Sequence, residues 1–452
     1  MEELMRSKHI FTIATVILVI SMRSNGHEDI IVNTQSGNVR GLRITSKISN
    51  FYAFLSIPYA KPPVGDLRFK IYFVNHSHRN PLSLGMKCMT EQKKVYPALS
   101  IPLTLMGMLG YLNLDIEEAP GNMGLMDVIE ALKWIQKNIG YFGGDPTNIT
   151  LGGLSSGGIM THALMLSPRS AGLFHKVIIQ SGTSLGYRFY HEDASKAINK
   201  LKETINMDSS SNHEVLTYLR ALSIPDIIEI TKSIKERYHD GYAQYYPFVI
   251  TNDFDSKAEG PVLPKHPLDI IRSNNYTHMP MIIGYTSNEG IRLEPYMNIL
   301  DFVNSNFHIV VPTDLFDIDD MSEQKMETAR TIKRFYFGNK DLSNETFAEY
   351  ANMCRDSWYA HITDYPIRLQ GYSNYTRPIY YYIFGIDGAY NYQKIKDGYT
   401  SLGASHADDL GYMWHTDLFA NTEPQDDFSD IARERMVKMW SNFVKQGYVF
   451  KK

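Results

Sequence analysis

Two cysteines in 452 residues, Cys88 and Cys354, exclude a disulfide framework and leave either one bridge across a very long loop or two thiols. Neither sign of charge dominates: 45 Lys and Arg stand against 49 Asp and Glu, a net charge of -4, with no basic block. The chain therefore lacks the electrostatic footprint of a nucleic-acid binder, and a small molecule or a protein is the default partner. No apolar run reaches the ~20 residues that a spanning helix needs, so no membrane anchor is expected. Residues 10–20, behind Arg6 and Lys8 and ahead of Ser24-Asn25-Gly26, instead have the layout of a secretory signal over residues 1–26, although Glu2 and Glu3 sit in its n-region. Nothing calls for a metal or cofactor. The acidic stretch 314–320, counted as a calcium loop from Asp317, has no glycine at its sixth position and Thr328 at its twelfth, so it reads as a helix cap before Met321.

The remaining content is that of a large globular chain. At 43% hydrophobic and 12% aromatic residues a sizeable core can form. The length allows two or three average domains or one large α/β domain. Sequons at Asn75, Asn148, Asn275, Asn344 and Asn374 fit export. Asn148 opens a buried strand, which leaves Asn75, Asn275, Asn344 and Asn374 as the expected glycosylation acceptors.

The organising stretch is residues 148–158. Ile149, Thr150 and Leu151 read as a strand; Gly153, Ser155 and Gly157 spell G-x-S-x-G; and Ile159, Met160, Ala163, Leu164 and Met165 give the apolar face of a helix. A serine between flanking glycines on a strand-to-helix turn is a nucleophile elbow, in which the hydroxyl is lifted toward a substrate carbonyl. Such a serine needs a base and a carboxylate to orient it.

Specific resemblance begins at residues 51–69, where a strand runs into Pro58-Tyr59-Ala60-Lys61-Pro62-Pro63-Val64-Gly65. It becomes dense from Ala119-Pro120-Gly121-Asn122 through Gly124-Leu125, Asp127, Trp134 and Phe142-Gly143-Gly144-Asp145-Pro146. Together with the elbow these segments resemble the type B carboxylesterases, the cholinesterase-like branch of the α/β-hydrolases, and specifically insect esterases. The resemblance implies an α/β-hydrolase fold: a central, mostly parallel sheet flanked by helices, one domain over residues 27–452.

It also places the catalytic set. The loop Tyr285-Thr286-Ser287-Asn288-Glu289-Gly290 after the strand Met281-Ile282-Ile283-Gly284 is similar to the family's acid loop, and Gly403-Ala404-Ser405-His406-Ala407-Asp408-Asp409 to its histidine loop. Ser155, Glu289 and His406 are then nucleophile, acid and base, in the order these enzymes use. The amide of Ser156 becomes the oxyanion donor. Asp409 and Ser181 match residues that support the network behind the histidine in relatives. Leu154 replaces the acidic residue usual before the nucleophile.

The main departure lies between Arg68 and Gly107. The family carries there a His-Gly-Gly-type loop, whose amides supply most of the oxyanion hole, and central strands; neither that loop nor room for the strands is present. The end of the chain, soon after residues 439–443, is also shorter than the resemblance implies. The sheet is therefore expected to lack some central strands, and the edges so exposed must pair elsewhere. Three functions follow: a secreted serine carboxylesterase acting on small esters, a binding or adhesion protein of cholinesterase-like lineage, or a decayed paralogue. The intact triad favours the first.

Overall fold

The computed structural model describes residues 107–450 apart from 187, 238, 241–242, 245, 254–259, 313–314, 316–319, 415–418 and 420–426, with backbone alone at 235–237, 239–240, 243–244 and 427. Ahead of residue 107 it describes 31–40 in full, and the backbone of strands at 14–19, 30, 41–45, 50–53, 57–58, 83–91 and 94–103.

Eight strands form the main sheet: β1 (Ala14–Val19), β2 (Ile57–Pro58), β3 (Ser83–Glu91), β4 (Lys94–Leu103), β5 (Thr150–Leu154), β6 (Lys176–Gln180), β7 (Met281–Thr286) and β8 (Ile379–Phe384), in the order β8-β7-β6-β5-β1-β4-β3-β2. From β5 to β8 the pairing is parallel, with Gly153 opposite Ile179, Ile179 opposite Ile283 and Ile283 opposite Tyr381. Every residue of β5, β6 and β7 is buried, which is why these strands read as unbroken apolar runs. β5 continues to Leu154, past the Ile149–Leu151 run visible in the sequence. The other half is antiparallel, and β1 takes the free edge of β5, Val16 lying opposite Gly153. The segment that reads as a secretory signal thus supplies a strand of the sheet.

Helices flank the parallel half: α1 (Met123–Asn138), α2 (Ser156–Leu166), α3 (Phe347–Arg355), α4 (His361–Tyr372) and α5 (Asp427–Gln446). α2 crosses over from β5 to β6 and is buried all round, so it is a core helix without a polar face. One apolar cluster joins α1 and α2 to β5 and β6; another lies under the loop after β7 and α3; a third packs α5 on β8. Cys354 is a fully buried thiol in α3, and the side chain of Cys88 lies outside the described residues. The helix expected near Met321 starts at Glu323, capped by Ser322, whose amide donates to Asp320 at 2.7 Å.

Candidate active site

Parallel strands present their C-terminal ends along one rim, and the chain leaves β5 there through Ser155. Its φ of 57° and ψ of -122° lie outside the basins open to most L-residues, a strain of about 1–3 kcal/mol that the surroundings must hold. They do so by hydrogen bonds: the Ser155 amide donates to the Gln180 carbonyl at 2.8 Å, and Ile159 N donates to the Ser155 carbonyl at 3.0 Å. Gly153 is required by close approach, because a Cβ there would fall on the Gly157 carbonyl of α2. Ser155 sits 8% exposed, and Ser156 5%.

The same rim carries Glu289 and His406. Ser181 N donates to Gly284 O and Ser287 N to Phe384 O, each at 2.8 Å, and Asn288 N donates to Ala404 O at 3.0 Å, so each loop is tied to its neighbour. Glu289, fully buried, accepts from Thr286 N at 2.8 Å and Ser181 Oγ at 2.6 Å through Oε1, and from His406 Nδ1 at 2.5 Å through Oε2. Burial alone would raise the Glu289 carboxyl, but the imidazole and these donors outweigh it and hold it below the usual carboxylate range. Burial lowers the His406 imidazole; Glu289 opposes that and Arg292 adds to it. The pair is thus a carboxylate and a neutral imidazole, with the proton on Nδ1 and the lone pair on Nε2. Nε2 is buried and has no hydrogen-bond partner, which is the valence a general base needs for a serine hydroxyl. The Asp408 carboxylate fixes the histidine loop by accepting from Ser405 N at 2.6 Å, Gln393 N at 2.9 Å and Lys394 N at 3.0 Å.

The model for the carboxylesterase family matches residues 28–92 and 106–449. The chain belongs to the carboxylesterase family. It is 28% identical over 350 residues to esterase FE4 of Myzus persicae, an alignment covering 76% of this chain and 60% of that protein. It is 25% identical over 502 residues to the juvenile hormone esterase of Tribolium castaneum, covering 92% and 83%. The chain spans about 60% of the length of the aphid esterases it matches. The crystal structure of juvenile hormone esterase from Manduca sexta, with OTFP covalently attached, superposes with a TM-score of 0.79 at 22% identity over 94% of this chain and 92% of that one, which establishes the α/β-hydrolase fold.

Within this carboxylesterase fold the supporting residues fall into two groups. Ser181 touches Glu289 directly. Asp409 does not touch the histidine; its Oδ2 accepts from Gln180 Nε2 at 2.8 Å and Tyr382 Oη at 2.9 Å, and burial pushes its carboxyl up to about 6. Leu154, 8% exposed, ends β5 and puts an apolar side chain just before Ser155. Asp408 lies in the histidine loop but was given no role there, and Gln180, Tyr382, Arg292 and Tyr359 were not singled out by sequence reading. Ser156 Oγ is buried without a partner, at the first turn of α2. The family match breaks at 93–105, inside the interval where the oxyanion loop was missed. Of the sequons, Asn275, Asn344 and Asn374 are exposed, Asn75 lies outside the described residues, and Asn148 is engaged by Lys176 Nζ and by the Lys445 carbonyl at 3.3 Å. Among the described residues no three His, Cys, Asp or Glu form a metal-ligating group, and no helix is long and apolar enough to cross a membrane.

Proposed function

We propose that this protein is a serine carboxylesterase that cleaves small carboxylic esters through an acyl-enzyme on Ser155. The observation that carries the reading is the 2.5 Å bond between His406 Nδ1 and Glu289 on the rim that also bears Ser155. His406 Nε2 takes the Ser155 proton as the hydroxyl attacks the ester carbonyl, then returns it to the departing alcoholate. Water repeats the sequence on the acyl group and frees the acid. Glu289 keeps the imidazole in the right tautomer and stabilises the imidazolium. The Ser156 amide, at the N-terminus of α2, is the donor for the developing oxyanion. A fluorophosphonate should label Ser155 in the full chain, and p-nitrophenyl butyrate turnover should fall at least 10³-fold in Ser155→Ala. Undiminished turnover in that variant refutes the assignment.

The break in the family match supports the second reading, a binding protein or decayed paralogue. Losing one oxyanion donor costs about 3 to 4 kcal/mol of transition-state stabilisation. Wild-type protein that is folded yet neither labels nor turns over would move the lead to that reading. We also propose export, with glycans on Asn275, Asn344 and Asn374, supported by their exposure. Digestion of protein secreted from insect cells with an N-glycosidase should lower its mass, and an unchanged mass sinks the glycan assignment.

A further inference from the structure

Close to the catalytic histidine the helical path from α3 to α4 is interrupted by a π-helical turn, Asp356–Ala360. The extra residue of such a turn gives up good hydrogen-bond geometry, and these turns concentrate at functional sites. Here the turn carries two adjacent aromatic side chains, Trp358 and Tyr359, both buried, and each meets a guanidinium. Arg188 Cζ stands 3.9 Å from the centroid of the Trp358 ring. Arg292 Nη1 donates to Tyr359 Oη at 2.8 Å. The Tyr359 ring in turn lies against the imidazole of His406, with centroids 5.2 Å apart and planes at 41°.

Arg292 follows Glu289 by one helical turn in the same loop, and Tyr246, Tyr296, Tyr359 and Tyr399 surround its charge. It is half-buried, and among the described residues no carboxylate stands within salt-bridge distance of it, the Glu289 charge favouring it only from farther off. A guanidinium held in this way costs desolvation, and no close ion pair offsets it. Among the described residues its hydrogen bond goes to the ring that covers the base.

We propose that Arg292 and Tyr359 are positioning residues for the catalytic base, the guanidinium pinning the phenol and the pinned ring holding the imidazole of His406 against Glu289. The consequence for catalysis rests on the esterase reading; the structural coupling does not. The groups facing His406 are Glu289, which favours the imidazolium, Arg292, which opposes it, and the Tyr359 phenol. On its own loop Asp408 is committed to the loop amides and Asp409 to Gln180 and Tyr382. Removing the Arg292 cation therefore lets the imidazole protonate at higher pH, and the acid limb of any reaction that needs the neutral base moves up with it.

The test titrates His406 directly by NMR of the full chain carrying 13Cε1-histidine, the resonance assigned with His406→Gln. Arg292→Gln should raise the midpoint by about half to one pH unit, and Arg292→Lys should restore most of the wild-type value. The nearly isosteric Tyr359→Phe should shift it in the same direction by part of that amount. The double variant should match Arg292→Gln alone, because both changes break one path. Unchanged midpoints in Arg292→Gln and Tyr359→Phe, or shifts that simply add, overturn the proposal. Fluorophosphonate labelling of Ser155 on the same samples is a separate readout: absent labelling with the predicted shifts would sink the esterase reading and leave the coupling standing.

Discussion

Ser181 shows how much a single hydroxyl can carry. It sits at a φ of 52° just beyond β6, and its Oγ gives Glu289 one of the three hydrogen bonds that keep a fully buried carboxyl ionised. A hydrogen bond to a charged group contributes about 1.5–3 kcal/mol, so Ser181→Ala should lower stability at pH 7 by roughly that amount. The pH dependence has a definite sign. The folded-state value of Glu289 is depressed, so its stabilisation is present above the unfolded value and is lost as pH falls through the folded one. Wild type and Ser181→Ala should therefore converge in acid. Urea unfolding of both at pH 7 and at steps down to well below the usual carboxylate range checks this, and a gap that never narrows there would mean that Ser181 acts through packing and not through the carboxylate. Asp409 has the opposite sign, since burial raises it to about 6: its stabilising protonated form is lost as pH rises through that value.

At the level of elements, what was legible followed from burial. The sequence alone delimits β6 as Lys176–Gln180 and β8 as Ile379–Phe384, the observed ends, because such apolar runs stop where the ladder stops. β5 was read short because Gly152 and Gly153 look like the start of the turn, whereas the ladder to Ile178 and Ile179 carries the strand through them. The loops bearing Ser155, Glu289 and His406 were legible because each follows a strand of the parallel half, and the structure brings Glu289 and His406 to within a hydrogen bond. The π-turn left no trace: one extra residue in a helical path alters no periodicity that Trp358 or Tyr359 could betray. Arg292 was invisible for a related reason, since its role depends on a partner 67 residues away in sequence. The elbow offers a sharp test of packing. Gly153→Ala puts a methyl on the Gly157 carbonyl, whereas Gly140→Ala meets nothing within 4 Å. The first should lose at least about 1–3 kcal/mol and abolish Ser155 labelling, while the second should melt within a degree or two of wild type. Equal melting of the two would contradict the close approach of α2 to β5.

For the whole molecule, the weight falls on the seam between the two halves of the sheet. The family resemblance led to the expectation of a mostly parallel sheet short of central strands; the parallel half is present, and β1 joins it to an antiparallel half through β4. β1 pairs with β5 from Thr15 opposite Leu154 to Val19 opposite Thr150, and with β4 from Ala14 opposite Leu103 to Val19 opposite Ala98. Taking it away opens two inward edges, one of them on the strand that carries Ser155. Each buried backbone group left without a partner costs about 1–3 kcal/mol, and open edges invite pairing with another chain. This sets the sheet against the export reading, because cleavage near residue 26 would remove the strand. Chain beginning at residue 27 should therefore melt below the full chain when both are made in a cytoplasm without signal cleavage, and should scatter light as associated species. If the two forms melt together and stay monodisperse, β1 is dispensable, β5 tolerates an open edge, and the segment is free to serve as a signal alone.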